Sequence, residues 1–133
     1  MKTLSIRQPW AWLIVHGGKD IENRSWHTKY RGRFLVHASN GMTKREYAFA
    51  AEYAKRLGVI VPPANQLLLG GVIGSVELID CLAAHKSQWY MPGNKAFVLR
   101  EPRALPFHST PGRLGFFDAP DAFAANCKEC VSL

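Results

Sequence analysis

One segment of this 133-residue chain carries the periodicity of a long helix, and most other patterned stretches alternate with a period of two. Thr43-Lys44-Arg45-Glu46 has the form of a capping box, in which a hydroxyl and a carboxylate satisfy the first free N–H groups of a helix. Tyr47, Ala50, Ala51, Ala54 and Leu57 follow at helical spacing, and Gly58 suits the left-handed stop. A single long helix among short strands leaves few architectures open. The strands must supply most of the core, and a sheet that covers itself must curl.

The alternating stretches support that reading. Residues 3–7 set Leu4 and Ile6 against Ser5 and Arg7, and residues 33–38 set Phe34 and Val36 against Arg33, Leu35 and His37. Residues 70–81 place Val72, Val76 and Leu78 opposite Ser75 and Glu77, with Gly70, Gly71 and Gly74 marking bends or bulges. Residues 95–100 alternate again, followed by a Pro-rich loop and a short strand near residues 114–117. Pro9 opens a brief helix to Val15 whose Trp10 and Trp12 read as packing residues ahead of ligand contacts. Residues 22–26 look extended, and residues 120–127 form a candidate terminal helix. The expected fold class is α+β, mainly β: a small β-barrel with one long helix and short appended helices, in one domain over residues 1–133.

Charge is the next constraint. The formal net charge is +7, and residues 1–45 hold nine Lys/Arg against two Asp/Glu, so the whole surplus lies in the first third. A concentrated positive charge points to an anionic partner, nucleic acid being the commonest. No apolar run approaches the roughly 18 to 20 residues of a membrane span, and the start lacks a signal-peptide apolar region, so a soluble, cytoplasmic protein without membrane contact is expected. Three cysteines make no disulfide framework, and Cys127-x-x-Cys130 without a second pair is a weak zinc signal. No metal and no cofactor are expected, and a monomer is favoured.

Within the basic stretch, Lys19-x-x-Glu22-x-Arg24 follows the Gly17-Gly18 turn. On a helix, positions 19 and 24 would diverge by about 140° at 3.6 residues per turn. In an extended segment Glu22 and Arg24 share a face, with Lys19 presented from the turn before it. A carboxylate between two cations is held ionised, and the surplus charge can take a phosphate or polarise a carbonyl. A solvated surface cluster is the competing reading. His37, on a neighbouring strand, reads either as a buried imidazole bonded to backbone or as a ligand donor and proton carrier.

Leu4-Ser-Ile-Arg-Gln-Pro-Trp10, Gly17-x-Lys-x-x-Glu-x-Arg24, Tyr30-Arg-Gly32 and Leu35-Val-His-Ala-Ser39 resemble, in order, the signature of the ASCH (activating signal cointegrator homology) domain of the PUA-like superfamily. Gly71-Val-Ile-Gly-Ser-Val76, Trp89-Tyr90 and Lys95-Ala-Phe-Val-Leu99 are similar to the strands that complete it. The resemblance implies a PUA-like β-barrel with a cleft beside its helices and a role in binding RNA, ahead of DNA. Carried over by position, Lys19, Glu22 and Arg24 match the family's charged motif, Gln8 and Pro9 the turn lining its cleft, and His37 and Ser39 the far wall.

Lys29, Arg31, Arg33, Lys44 and Arg45 would add phosphate affinity. Trp26, Tyr30, Trp89 and Tyr90 are candidates for stacking on bases, the first two favoured because they sit in the basic stretch. The resemblance also implies an alternative, an enzyme of RNA or modified-nucleoside metabolism: a ribonuclease, or a hydrolase like the N4-acetylcytidine amidohydrolases. Lys19, Glu22 and His37 would then be its catalytic groups. Glu22 stands where that amidohydrolase branch has a Thr, and Glu77 is a further candidate acid or base.

Overall fold

A computed structural model describes residues 1–119. The strands are β1 (Lys2–Ile6), β2 (Ile21–Arg24), β3 (Gly32–Ala38), β4 (Gly71–Leu82), β5 (Lys95–Ser109) and β6 (Phe116–Asp118). Helix α1 (Trp10–His16) lies between β1 and β2, and α2 (Lys44–Arg56) between β3 and β4. The expected terminal helix and Cys127-x-x-Cys130 lie outside the described residues. Among the described residues no helix is long and apolar enough to cross a membrane.

The six strands form one mixed sheet in the order β2-β5-β4-β3-β1-β6, with β1 and β3 parallel and the remaining neighbours antiparallel. The sheet curls into a half-barrel, the α+β PUA-like form expected. Phe116 on edge strand β6 reaches across to Phe97 on β5, with parallel rings 6.3 Å apart, and meets Phe34 on β3 edge-on at 5.4 Å. Leu4, Ile6, Phe34, Val36, Val76, Leu78, Phe97 and Leu99 fill the interior, and Ala11, Ile14 and Val15 of α1 plug one end. A second cluster of Leu13, Ile21, Ala54, Val61, Leu67, Trp89 and Ala96 seats α2.

Curling requires local breaks in pairing, and β4 supplies them. Its register with β5 shifts between Val72 and Gly74, between Ser75 and Glu77, and between Leu78 and Asp80. At Gly74 a Cβ atom would lie 2.6 Å from the Arg103 carbonyl oxygen and 2.8 Å from Val15, so only glycine lets the strands approach there.

Helix α2 starts as its sequence indicates: the Thr43 hydroxyl accepts a 3.1 Å hydrogen bond from the Glu46 N–H. The Glu46 carboxylate turns instead to Arg7, which grips both oxygens at 2.9 and 2.7 Å and ties the helix start to the end of β1.

One expectation needs correction. The Pro-rich stretch after Arg100 continues β5 to Ser109 rather than forming a loop. Pro102 and Pro106 each sit where the pairing with β4 shifts, so neither interrupts a ladder hydrogen bond. On the other side, β2 pairs only with residues 95–98 of β5. Proline is tolerated at such an edge because no N–H is required of it. Gly74→Ala is expected to cost about 1–3 kcal/mol through overpacking. An unchanged urea midpoint would show that the two strands are not held this closely.

Candidate functional site

Helix α1 ends at Gly17, and Gly18 (φ 76°) turns the chain back so that Lys19 N–H reaches the Leu13 carbonyl at 3.1 Å. The left-handed backbone at Gly18 is the reason glycine suits this turn. It delivers Lys19 inward at the start of β2, where the residue is only 4% exposed. The Lys19 ammonium donates to the Ile21 carbonyl and to Glu22 Oε1, the latter at 3.3 Å, and lies 5.5 Å from the centre of the Trp10 ring. Glu22, 7% exposed, accepts on its other oxygen from Arg24 Nε at 2.8 Å. Arg24 Nη2 in turn donates to the Ser5 carbonyl on β1 at 2.7 Å.

This chain of contacts spans the opening of the half-barrel. β2 is one edge of the sheet, and β1 is next to the other edge. The charged motif is therefore a buried seam between opposite ends of the sheet. Burial pushes the Lys19 ammonium below the ordinary lysine range, with Glu22 pulling in the opposite direction.

Two cavities flank the seam and share Trp10, Glu22 and Asn23 as a common wall, forming one cleft. The smaller, about 480 Å³, is bounded by Lys19, Arg45, Phe49, Met91 and Asn94. The larger, about 640 Å³, is bounded by Ser5, Arg7, Arg24, His37, Ser39 and Arg113.

His37 is 1% exposed and lies opposite Ser5 in the β1–β3 register. Its Nε2 is 2.6 Å from the Thr110 carbonyl oxygen, which can only accept, so Nε2 is the donor. In the neutral ring Nδ1 then accepts from the Ser5 hydroxyl at 3.0 Å. Both ring nitrogens are thus engaged within the protein. Gly112 lies over the pair, since a Cβ there would come within 2.6 Å of Ser5 Oγ.

The other sequence candidates divide sharply. Gln8, 1% exposed, spends its amide internally: Oε1 accepts from Trp12 N–H at 2.9 Å and Nε2 donates to the Leu68 carbonyl at 3.0 Å. Pro9 precedes α1, its carbonyl accepting from Leu13 N–H at 3.0 Å. Ser39 lines the larger cavity beside His37.

Trp26 packs edge-on against Phe97 and Phe116, with ring centres 5.2 and 6.0 Å away, and lines neither cavity. Tyr30 packs on Phe116 at 5.3 Å and donates its hydroxyl hydrogen to the Arg33 carbonyl at 2.6 Å. Trp89 is buried, and the Tyr90 hydroxyl hydrogen-bonds the Ala83 and Asn94 carbonyls. Arg31 donates to the Thr28 and Tyr30 carbonyls and lies 3.5 Å from Asp80, while Arg33 pairs with Glu101. Glu77 pairs with Arg100 at 2.8 Å, which holds its carboxyl below the usual range.

Several cleft residues carried no usable sequence signal. Asn23 is fixed by hydrogen bonds to the Trp89 carbonyl and the Met91 N–H, which join β2 to the segment before β5. Phe49 and Trp10 form the aromatic wall, yet at their sequence positions each looks like an ordinary apolar residue of a helix. Among the described residues no group of three or more His, Cys, Asp or Glu is placed to hold a metal ion.

A lysine whose folded-state value is lowered opposes folding while charged, and this penalty is relieved as pH rises from that lowered value toward the ordinary one. We therefore expect one lysine Cε resonance to titrate below the rest in an NMR series and to vanish in Lys19→Met. Titration of all lysines together would overturn the buried geometry of Lys19.

The ASCH domain profile matches residues 4–107. Activating signal cointegrator 1 of Mus musculus is 37% identical over 91 residues, covering 67% of this chain and 16% of that protein. The Homo sapiens protein of the same name is 36% identical over the same coverage. The chain thus corresponds to 16% of the length of these relatives. With the half-barrel in place and the profile running from β1 through most of β5, the chain belongs to the ASCH domain family.

Proposed function

We propose that this chain is a nucleic-acid-binding module, with RNA ahead of DNA as its ligand, acting through the cleft around the Gly-x-Lys-x-x-Glu-x-Arg motif. We further read residues 1–133 as one domain, monomeric and cytoplasmic. The observation that carries the binding reading is where the charge gathers. Arg7, Arg24, Arg45 and Arg113 border the two cavities, with Lys19 buried between them. Glu22 and Glu46 are the carboxylates lining the same two cavities.

The seam cluster of Lys19, Glu22 and Arg24 retains one net positive charge after its internal pairing, beside a space large enough for a nucleotide. Arg45 is exposed and forms no ion pair among the described residues, so its guanidinium can turn to a phosphate. Gln8 supports this cleft from behind by fixing the first turn of α1, and His37 with Ser39 forms the wall facing Arg24. Trp26, Tyr30 and Arg31 support it indirectly through the packing and the ion pair described above.

Fluorescence anisotropy with short single-stranded RNA and DNA over a salt series tests the reading. We expect affinity to fall steeply with salt, Arg45→Ala to lower the log–log salt slope by about 1, and Arg24→Ala to weaken binding further. Absent or salt-insensitive binding to both would sink it.

A second reading, a hydrolase acting on RNA or a modified nucleoside, is favoured by one observation. The Lys19 ammonium is pushed toward its neutral form inside the cleft, in contact with Glu22, as general acid–base and nucleophilic groups often are. Turnover of a nucleoside and RNA panel by the wild type, lost in Lys19→Ala and Glu22→Ala with folding intact, is its expected outcome. No turnover across the panel argues against it.

A further inference from the structure

We infer that the smaller compartment of the cleft takes a single unpaired nucleobase stacked on Phe49, while the larger compartment holds the adjoining sugar-phosphate. This inference rests on the nucleic-acid reading above and adds a division of labour within the site.

Phe49 carries the argument. It is 58% exposed on α2, although a phenyl ring gains from burial and the cores of this domain lie close by. Its ring is held in place: Trp10 meets it edge-on at 6.2 Å, and the Tyr53 ring lies 6.3 Å away, inclined by 30°. Trp10 is itself fixed by Tyr53 at 6.1 Å and by the Lys19 ammonium at 5.5 Å. An exposed ring lining a cavity of about 480 Å³, backed by two other aromatics, leaves flat apolar surface open to that cavity. Compartments of this volume lie within the roughly 300–1,000 Å³ range of small-ligand clefts.

What covers such a ring is indicated by its surroundings. The compartment opens past Trp10, Glu22 and Asn23 into one bordered by Arg7, Arg24 and Arg113. A ligand that is flat and apolar at one end and anionic at the next position along its length fits both at once. One nucleotide of a single strand has that form: a base with two π faces, joined to a phosphate. An apolar peptide segment would satisfy Phe49 and Met91 but bring no anion to the basic rim of the larger compartment. A duplex would keep its bases stacked and unavailable to the ring.

The experiment compares two eight-residue oligomers of equal charge, one RNA and one carrying abasic ribose-phosphate at every position, by anisotropy on the full chain. Wild-type protein is expected to bind the base-bearing oligomer about 5- to 150-fold more tightly than the abasic one. Phe49→Ala should abolish that difference while leaving abasic affinity and its salt dependence unchanged, and Phe49→Tyr should restore it. Because Phe49 is more than half exposed, thermal melting of Phe49→Ala near that of the wild type is expected and serves as the folding control.

Equal, salt-dependent affinity for both oligomers, or a base preference that survives Phe49→Ala, overturns this inference and leaves the nucleic-acid reading standing. Binding of neither oligomer overturns both.

Discussion

Arg24 joins two strands that the chain places far apart in the sheet. From β2 it donates to a backbone carbonyl of β1, and its other side is held by Glu22, which also receives Lys19. A curled sheet of six strands leaves an opening where its two ends approach without pairing. In a larger barrel further strands would close it; here a guanidinium, a carboxylate and an ammonium do so. The cleft on both sides of this seam exists because side chains span the gap and the backbone does not. Cleft geometry and sheet curvature are therefore two aspects of one arrangement, and the glycines that permit the curl shape the site from a distance.

Burying two charges and half-burying a third in a domain of this size opposes stability, since each loses hydration that its partners only partly restore. The arrangement lowers that cost by pairing: Glu22 uses one oxygen for each cation, and Lys19 and Arg24 each find a backbone carbonyl as well. Apolar residues of similar size could seal the seam at lower cost. They would leave neither the residual positive charge nor the polar floor between the two cavities, and this is the physical case for reading the cluster as ligand machinery. His37 follows a different logic. With one ring nitrogen on Thr110 and the other on Ser5, it fastens β3 and β1 to the segment after β5, and so forms a wall of the larger cavity.

Local pattern was enough to find the elements. Thr43 and Gly58 bracket α2 because a hydroxyl cap and a left-handed stop act over a few residues, and the alternation in β1, β3 and β4 directly reflects which side is buried. The Lys19, Glu22 and Arg24 cluster was legible for the same reason, since an extended segment sets the relative directions of its own side chains. What failed to read was everything that depends on curvature. Trp26 and Tyr30 are neighbours of the charged motif in sequence, but the sheet turns them onto Phe97 and Phe116. Arg31 and Arg33 face acidic partners on β4 and β5 for the same reason. Phe49 comes to the cleft because α2 is seated on the second core cluster and its start is tied to β1 through Arg7 and Glu46. The prolines of β5 misled in the opposite direction: their meaning depended on which neighbour would be present to ask for an N–H.

Those prolines have a consequence for how the molecule behaves among its own copies. Beyond Val98 the outer side of β5 has no strand beside it among the described residues, which leaves most of the longest strand of the sheet without a partner strand on that side. Such an edge is a template on which another chain could add a strand and begin an aggregate. Pro102 and Pro106 remove donors from it, Glu101 kinks it with a positive φ of 51°, and Arg100, Glu101 and Arg103 line it with charge. The same residues that let one strand serve two partners unequally thus keep the uncovered part from recruiting a third.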